Sequence, residues 1–326
     1  MSSTPCSPDP QPDGPDPEHD ERAVDVGVVI VTYCSEHDVD ALSESLPLGL
    51  VGVDWRVVAV DNASTDRTVE RLEQHGIHVI SMSHNAGYAA AINVGIRHFT
   101  KARAILVLNA DVALARGSVA TMLAALRDDP RVGIVVPQVR SFDGELTFNQ
   151  RRDPSLARVL APALIGGDRA MRLRLSEIVI DPQRYLTSRD VEWAVGAIYL
   201  ISKPCADAVG PWDESFFLYS EETDFCERAR RAGFVVRYVS DAIAYHEGGG
   251  GVHQPHLRSM MVVNRVRHYR RHHSLGSSWI FYAAILLNEK LRSLAGNTAA
   301  AAAERALLHP SLRPSEMKCS DSLLPR

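Results

Sequence analysis

Residues 25–32 read DVGVVIVT and residues 56–61 read RVVAVD. Both runs are short, apolar and β-branched, and each breaks off into polar residues: Thr32-Tyr33 after the first, Asp61-Asn62-Ala63-Ser64 after the second. Strands apolar on both faces belong inside a sheet that is covered on both sides, as parallel sheets are. Working outward, the pattern predicts further strands at 77–82, 104–109 (AILVLN) and 133–139, with helices at 38–46, 64–75, 86–99 and 118–127 between them. Ser64, with Arg67 and Thr68 behind it, reads as a helix start. This alternation implies an α/β fold built on a mostly parallel, doubly wound sheet. After residue 140 the texture changes. Residues 141–189 are Arg-rich and irregular, 191–202 and 234–240 are strand-like, and 221–232 is helical. Residues 257–296 read as two helices of a C-terminal extension.

The 326 residues are 45% hydrophobic and 23% charged, with a formal net charge of −5. That composition argues against a fibrous, wholly disordered or membrane-embedded protein, and it gives no sign of a nucleic-acid partner. The five cysteines are scattered, without a C-x-x-C pair, which fits a reducing, cytoplasmic setting. Residues 1–22 hold six prolines and a surplus of acids, the composition of a disordered tail and not of a secretory signal. Residues 310–326 also read as a loose end. No apolar run approaches the roughly 18 residues that a spanning helix needs.

In an open parallel sheet, ligands bind beyond the carboxyl ends of the strands. Thr32 and Tyr33, Asp61 and Asn62, and Asn109 and Asp111 all stand at such ends. One Asp after a strand is usually a turn or cap residue; two on one sheet edge make binding an even choice. There is no G-x-G-x-x-G after the first strand and no G-x-x-x-x-G-K-[ST], so a diphosphate here calls for another counter-charge. A metal held by carboxylate and imidazole supplies one.

The motifs VIVTY (29–33), VDNAST (60–65), HNAGYAAAIN (84–93), LNAD (108–111), WAVGA (193–197), FFLYSEETDFCERARRAGF (216–234) and AYH (244–246) occur in that order. In this the chain resembles inverting family 2 glycosyltransferases of the GT-A fold over about residues 25–270. Within them it is most similar to the rhamnosyltransferase group, which includes enzymes acting on polyprenyl-diphosphate-linked N-acetylglucosamine. The resemblance implies a catalytic domain at 23–255, with a nucleotide-binding half (23–140) and an acceptor half (141–255), followed by a helical extension (256–309). It implies single-displacement transfer of a sugar from a nucleotide-diphosphate donor, with dTDP-rhamnose as the first choice, to a glycan or lipid-linked hydroxyl. A UDP-sugar donor (galactosyl, galactofuranosyl or N-acetylglucosaminyl) and a non-catalytic nucleotide-binding scaffold are the alternatives.

Residue by residue, the resemblance makes Asp61 the acceptor of a pyrimidine N3–H, with Thr32 and Tyr33 lining the base and ribose pocket. Asn62, Asn85, Gly87, Asn93 and Asn109 complete the nucleotide-sugar site. Asp111 and His246 become ligands of Mg2+ or Mn2+, with Asn109 standing where the family's D-x-D motif has its first Asp. The general base falls at Glu222, where the family usually has Asp, and Glu221 and Asp224 are the other candidates. Acids at a helix start also have a simpler explanation, since they complement its dipole. Trp193, Gly196 and Ala197 face the acceptor by the same resemblance, although a strand Trp is nearly as often a core residue. The glycines at 248–251 suggest a mobile loop. Five arginines between Arg258 and Arg271, followed by Trp279, Ile280, Phe281 and Tyr282, suggest either a solvated helix face or contact with an anionic membrane surface.

Overall fold

A computed structural model describes residues 23–247 and 253–317. The acidic N-terminal segment, the glycine run and the last nine residues lie outside the described residues. The strands are β1 (Val24–Thr32), β2 (Trp55–Asp61), β3 (His78–Ser81), β4 (Ala102–Asn109), β5 (Val112–Leu114), β6 (Val132–Arg140), β7 (Gln150–Arg151), β8 (Arg189–Val191), β9 (Trp193–Ala194), β10 (Ile198–Ser202) and β11 (Val235–His246). The helices are α1 (Val39–Gly49), α2 (Thr68–Gln74), α3 (Tyr88–His98), α4 (Ser118–Asp128), α5 (Leu156–Ile165), α6 (Gly167–Arg172), α7 (Lys203–Val209), α8 (Glu221–Arg231), α9 (Pro255–His272), α10 (Leu275–Leu294) and α11 (Thr298–Leu308).

The main sheet runs β3-β2-β1-β4-β10-β6-β11-β5, with β8 joined to β11. β1 to β4 pair in parallel, as do β6 and β11, so the expected α/β architecture is present. Side-chain alternation along β1 explains why that strand reads as continuously apolar. Val26, Val28 and Ile30 enter a core with Val39, Leu42 and Leu46 of α1. Val29 and Val31 enter the opposite core with Ala89, Ala91 and Ile92 of α3. Each such buried aliphatic contributes about 1.5–3 kcal/mol relative to exposure.

The chain after residue 140 corrects several expectations. The single strand expected at 191–202 is broken. Trp193–Ala194 pairs with β7 in a separate ribbon, while Ile198–Ser202 inserts antiparallel between β4 and β6. The sheet is therefore mixed. The irregular 141–189 stretch contains α5 and α6. The extension has three helices, not two. α9, α10, α11 and Val159 of α5 close around a third core that includes Met317, so the chain through Met317 belongs to this unit and is not a loose end. Ser64 does not start α2. Its hydroxyl and amide turn back to Asp61, and Asp66 accepts from the amide and hydroxyl of Thr68 instead.

Arg258 and Arg267 of α9 are buried and Arg265 is half-buried, against the expectation of a solvated or membrane-facing surface, while Arg271 stays exposed. Arg258 forms a buried pair with Glu289 of α10, at 2.7 and 2.8 Å. Arg265 pairs with Glu177 and Arg271 with Asp213. Arg267 donates to the carbonyl of Ser215 at 2.6 Å, and Asn264 donates to that of Leu218 at 2.9 Å. α9 thus holds the loop that leads into α8.

Candidate active site

Strand register sets the rim. Thr32 lies level with Asp61, and Val31 with Asn109, so three strand ends open on one edge. Asp61 is buried. It accepts from Thr32 Oγ1 (2.9 Å), Ser64 N (2.8 Å) and Ser64 Oγ (2.5 Å). These bonds take three of the roughly four acceptor positions of a carboxylate. Tyr33 is exposed beside it. The turns leaving β1 and β2 hold Cys34 and Ala63 in the left-handed region, and Cys34 N donates to Ser64 Oγ at 2.8 Å, which ties the two rims together.

Asn62 is buried, and its Oδ1 has no partner among the described residues. Its amide nitrogen donates to the carbonyl of Gly87 at 3.4 Å. Asn85 Oδ1 accepts from Gly87 N at 3.0 Å, forming the turn that opens α3. Gly87 has φ +95°, and a Cβ there would lie 2.4 Å from the carbonyl oxygen of Phe217, so only glycine fits. Asn93, expected as a nucleotide contact, is engaged within the fold. Its side chain donates to Trp212 O and Glu214 Oε1 and accepts from Trp212 N, each at 2.9 Å. It anchors 212–214 to α3, with both amide hydrogens spent and its oxygen already accepting once.

The antiparallel pairing of β5 with β11 sets His246 opposite Val112, next to Asp111. His246 Nε2 lies 3.1 Å from Asp111 Oδ2; the Asp111 side chain is 43% exposed and that of His246 10%. Asn109 Oδ1 is buried without a partner among the described residues. Carboxylate oxygen, imidazole nitrogen and a free amide oxygen on one rim are a donor set that fits Mn2+ or Mg2+. Asp38, which the sequence reading had only as a helix start, faces the same place. Burial and the Asp111 charge push its carboxyl up, with His37 and His246 opposing.

Another set of donor atoms gathers at α8–α9, where Asp224, His268 and His272 come within 4.8 Å of one another. Here cations are already present. Arg228 donates to Asp224 at 2.7 Å, Arg231 donates to His272 Nδ1 at 3.0 Å, and His268 lies 3.0 Å from Glu227. Burial raises Glu227, but the His268 hydrogen bond and the charges of His268, His272 and Arg231 outweigh it and hold the carboxyl at about 2. This is an ion-pair network that braces α8 against α9, and it engages Asp224 as a structural residue.

Tyr219 and Ser220 both adopt positive φ, at 68° and 75°, just before α8. The strained turn aims Glu221 and Glu222 into the sheet edge. Glu221 is 3% exposed, and burial together with the Glu222 charge drives its carboxyl well up. Glu222 is half-buried. Burial raises it too, while backbone N–H groups, Arg151 and His268 pull it down. A Cβ on Gly196 would touch the Glu222 side chain at 3.6 Å, so the Gly196 step borders that carboxyl. Ala197 is a core residue whose carbonyl accepts from Asn109 N at 3.0 Å, which corrects its expected place facing the acceptor. Trp193 is half-buried and donates to the carbonyl of Arg152 at 3.1 Å.

Tyr88 links the parts and is missing from the sequence-based site, although it lies inside the HNAGY motif. Its hydroxyl donates to the carbonyl of Gly196 at 2.9 Å. Burial raises its pKa, and so do the charges of Glu221, Glu222 and Asp111. The charges of the acid pair and of Asp111 thus all act on one phenol.

A family profile described as Glycosyl transferase family 2 matches residues 27–191, just over half of the 326 residues. An N-acetylglucosaminyl-diphospho-decaprenol L-rhamnosyltransferase of Mycobacterium tuberculosis is 28% identical over 278 residues, 78% of this chain and 83% of that protein. Among solved structures, a mannosyltransferase from Pyrobaculum calidifontis in complex with GDP-Man and Mn2+ superposes with a TM-score of 0.53 at 16% identity, covering 91% of this chain and 83% of that one. GalNAc-T7 with UDP, GalNAc and Mn2+ gives a TM-score of 0.50 at 15% identity, covering 70% of this chain, which spans 44% of that protein's length. Both structural likenesses bear on the fold alone.

Proposed function

This chain belongs to glycosyl transferase family 2 and is a glycosyltransferase; on that premise we propose that it moves a sugar, with L-rhamnose from dTDP-rhamnose as first choice, to a hydroxyl of a glycosylated, lipid-linked acceptor with inversion of configuration. The observation that carries this reading is the set of chemical groups on adjoining elements: Asp111 beside His246, Glu222 against the Gly196 step, and Tyr88 hydrogen-bonded to the Gly196 carbonyl. The sugar preference draws support from the rhamnosyltransferase relative.

In the proposed mechanism Asp61 accepts the N3–H of the donor's pyrimidine with its remaining acceptor position. Asn62 and Asn109 offer buried, unpartnered amide oxygens to ribose hydroxyls or bound water. Asp111 and His246 would hold a divalent ion, which as a Lewis acid would neutralise the charge of the leaving diphosphate. Glu222 accepts the proton of the acceptor hydroxyl as that oxygen attacks the anomeric carbon from the face opposite the leaving group. Tyr88 holds the Gly196 carbonyl and so the acceptor edge.

Calorimetry with dTDP and UDP, with and without Mn2+, tests the donor end. Asp111→Asn should lose more of the metal-dependent affinity than the roughly 10–100-fold typical of changes around a ligand. Equal binding with and without Mn2+ would remove the metal from the reading. Failure of both nucleotides to bind would favour the scaffold alternative.

No helix of the described residues is long and apolar enough to cross a membrane. We place the contact with an anionic bilayer on the outer side of α10, not on α9. Ile280, Leu287, Leu291 and Leu294 share one exposed helical stripe, with Leu294 73% exposed. Leu164, 72% exposed, ends the neighbouring α5. Arg169, Arg172 and Arg292 flank these residues with guanidiniums that have no protein partner among the described residues, which matches anionic headgroups. Trp279 and Ile280 are exposed here, whereas Phe281 and Tyr282 are buried. Leu291→Glu should abolish co-sedimentation with phosphatidylglycerol vesicles; undiminished sedimentation would rule this face out.

A further inference from the structure

On the acceptor half, four arginines surround a cavity of about 260 Å³: Arg151, Arg152, Arg184 and Arg230, with Asp190 and Glu192. Its volume falls just under the roughly 300–1,000 Å³ of ordinary small-molecule sites, so it suits a compact anion better than a whole nucleotide. The two acids are already engaged. Asp190 accepts from Arg237 at 2.5 Å, and Glu192 accepts from the amide of Asp153 and faces Arg158 at 3.7 Å. Of the arginines, Arg230 is paired with Asp153 at 2.6 and 2.8 Å, and Arg151 donates to the carbonyls of Phe148 and Gln150. Arg152 donates to the carbonyl of Ser176 at 3.0 Å. The guanidinium of Arg184 has no protein partner among the described residues, and its Nε is buried. Burial, then Arg158, Arg184 and Arg174, lower the pKa of Arg152, as like charges crowded together do. A half-buried cluster of fork-shaped cations with unspent donors matches phosphate oxygens.

The position of the cavity says which phosphate. Arg151 lines it, pairs in register with Trp193 across the β7–β9 ribbon, and acts electrostatically on Glu222. From Trp193 to Gly196, which borders Glu222, is three residues, at most about 10 Å of chain. That gap has room for one sugar ring. We propose that this cavity binds the diphosphate of a glycosyl-diphosphate acceptor whose sugar lies along Trp193–Gly196 and whose attacking hydroxyl meets Glu222. The assignment of the acceptor rests on the transfer reading above; the anion site itself does not.

The first test is calorimetry of the full chain with inorganic pyrophosphate in the presence of EDTA, so that metal–diphosphate binding at Asp111 does not contribute. Wild type should bind in the millimolar range or tighter. Arg184→Gln should weaken binding at least tenfold, on the scale of one lost charge-assisted contact. Arg184→Lys should keep part of it, and Arg152→Gln should repeat the loss. No pyrophosphate binding by wild type, or equal binding by Arg184→Gln, overturns the site. Titration with dTDP and UDP separates the sources: unchanged nucleotide affinity in Arg184→Gln supports the acceptor, and its loss would assign the cavity to the donor. In transfer assays the variant should raise KM for a short-chain glycosyl-diphosphate acceptor with little change in kcat, and leave KM for a diphosphate-free glycoside unchanged. An equal rise for both acceptors overturns the assignment. Absence of sugar transfer by the wild type to any acceptor would sink the transfer reading while leaving the pyrophosphate result to stand by itself, and a fully active Glu222→Gln would remove only Glu222 as the group that meets the attacking hydroxyl.

Discussion

Glu222→Gln should leave nucleotide binding intact and lower kcat by about 10²–10⁴, the usual worth of a positioned general base. Gln has nearly the same shape, so the loss isolates the proton-accepting function. Of the three acids at the start of α8, Asp224 is engaged by Arg228 and Glu221 is enclosed. Glu222 is the one that combines partial exposure, contact with the Gly196 step and nearby cations at Arg151 and His268. The raised pair also sets a pH dependence. A base must be deprotonated, so kcat should climb as pH rises through the raised pKa of Glu222 and level off above it. Burial and the neighbouring charge both raise Glu221, so it keeps its proton longer, and Glu222 carries the charge first. The effect on stability has the opposite sign. Carboxyls whose folded pKa is raised favour the fold most at low pH, and that contribution is lost as pH rises through their folded pKa values. Activity should therefore be gained over the range in which some stability is lost. A Glu222→Gln enzyme turning over at near-wild-type rate, or a flat acid limb, would remove Glu222 from the mechanism.

The second large effect is on stability. Arg258 and Glu289 join α9 to α10 with side chains 8% and 4% exposed. Glu289→Leu removes a buried carboxylate from a buried guanidinium and should cost about 3–5 kcal/mol, read by urea denaturation. Converting both residues, Arg258→Met with Glu289→Leu, should recover most of this, because hydrophobic replacement of a whole buried pair is often neutral or better. A loss below about 1 kcal/mol in the single variant would mean that the pair is screened like a surface bridge. The helix at stake also carries Asn264 and Arg267, which hold Leu218 and Ser215 ahead of the acid pair. Loosening it should be felt in turnover before global unfolding.

Much was legible from residue order. β1, β2 and β4 declare themselves because parallel strands buried on both faces must be apolar without interruption. Their polar ends could be named because a strand's carboxyl end is where such sheets bind ligands. Glu221-Glu222 at the head of a helix was visible in the same way. β10 was harder, since an antiparallel strand between two parallel ones has no periodicity of its own. α5 and α11 were missed because one sits in an Arg-rich stretch and the other is an Ala-rich segment without a clear polar face.

The sequence by itself determined the fold class, the family and the set of strand-end acids, all of which depend on neighbours a few residues apart. The tertiary structure decided what long-range pairing alone can decide. Register between β5 and β11 puts His246 against Asp111. Asn93, inside a binding motif, is tied to Trp212 and Glu214. Arg258, Arg265 and Arg267 of α9 face inward to acids and a carbonyl, while an apolar stripe of α10 faces out. Periodicity tells which faces of a helix are apolar or charged. Which face is covered depends on what packs there, because burying a charge is tolerable only where a distant partner pairs with it.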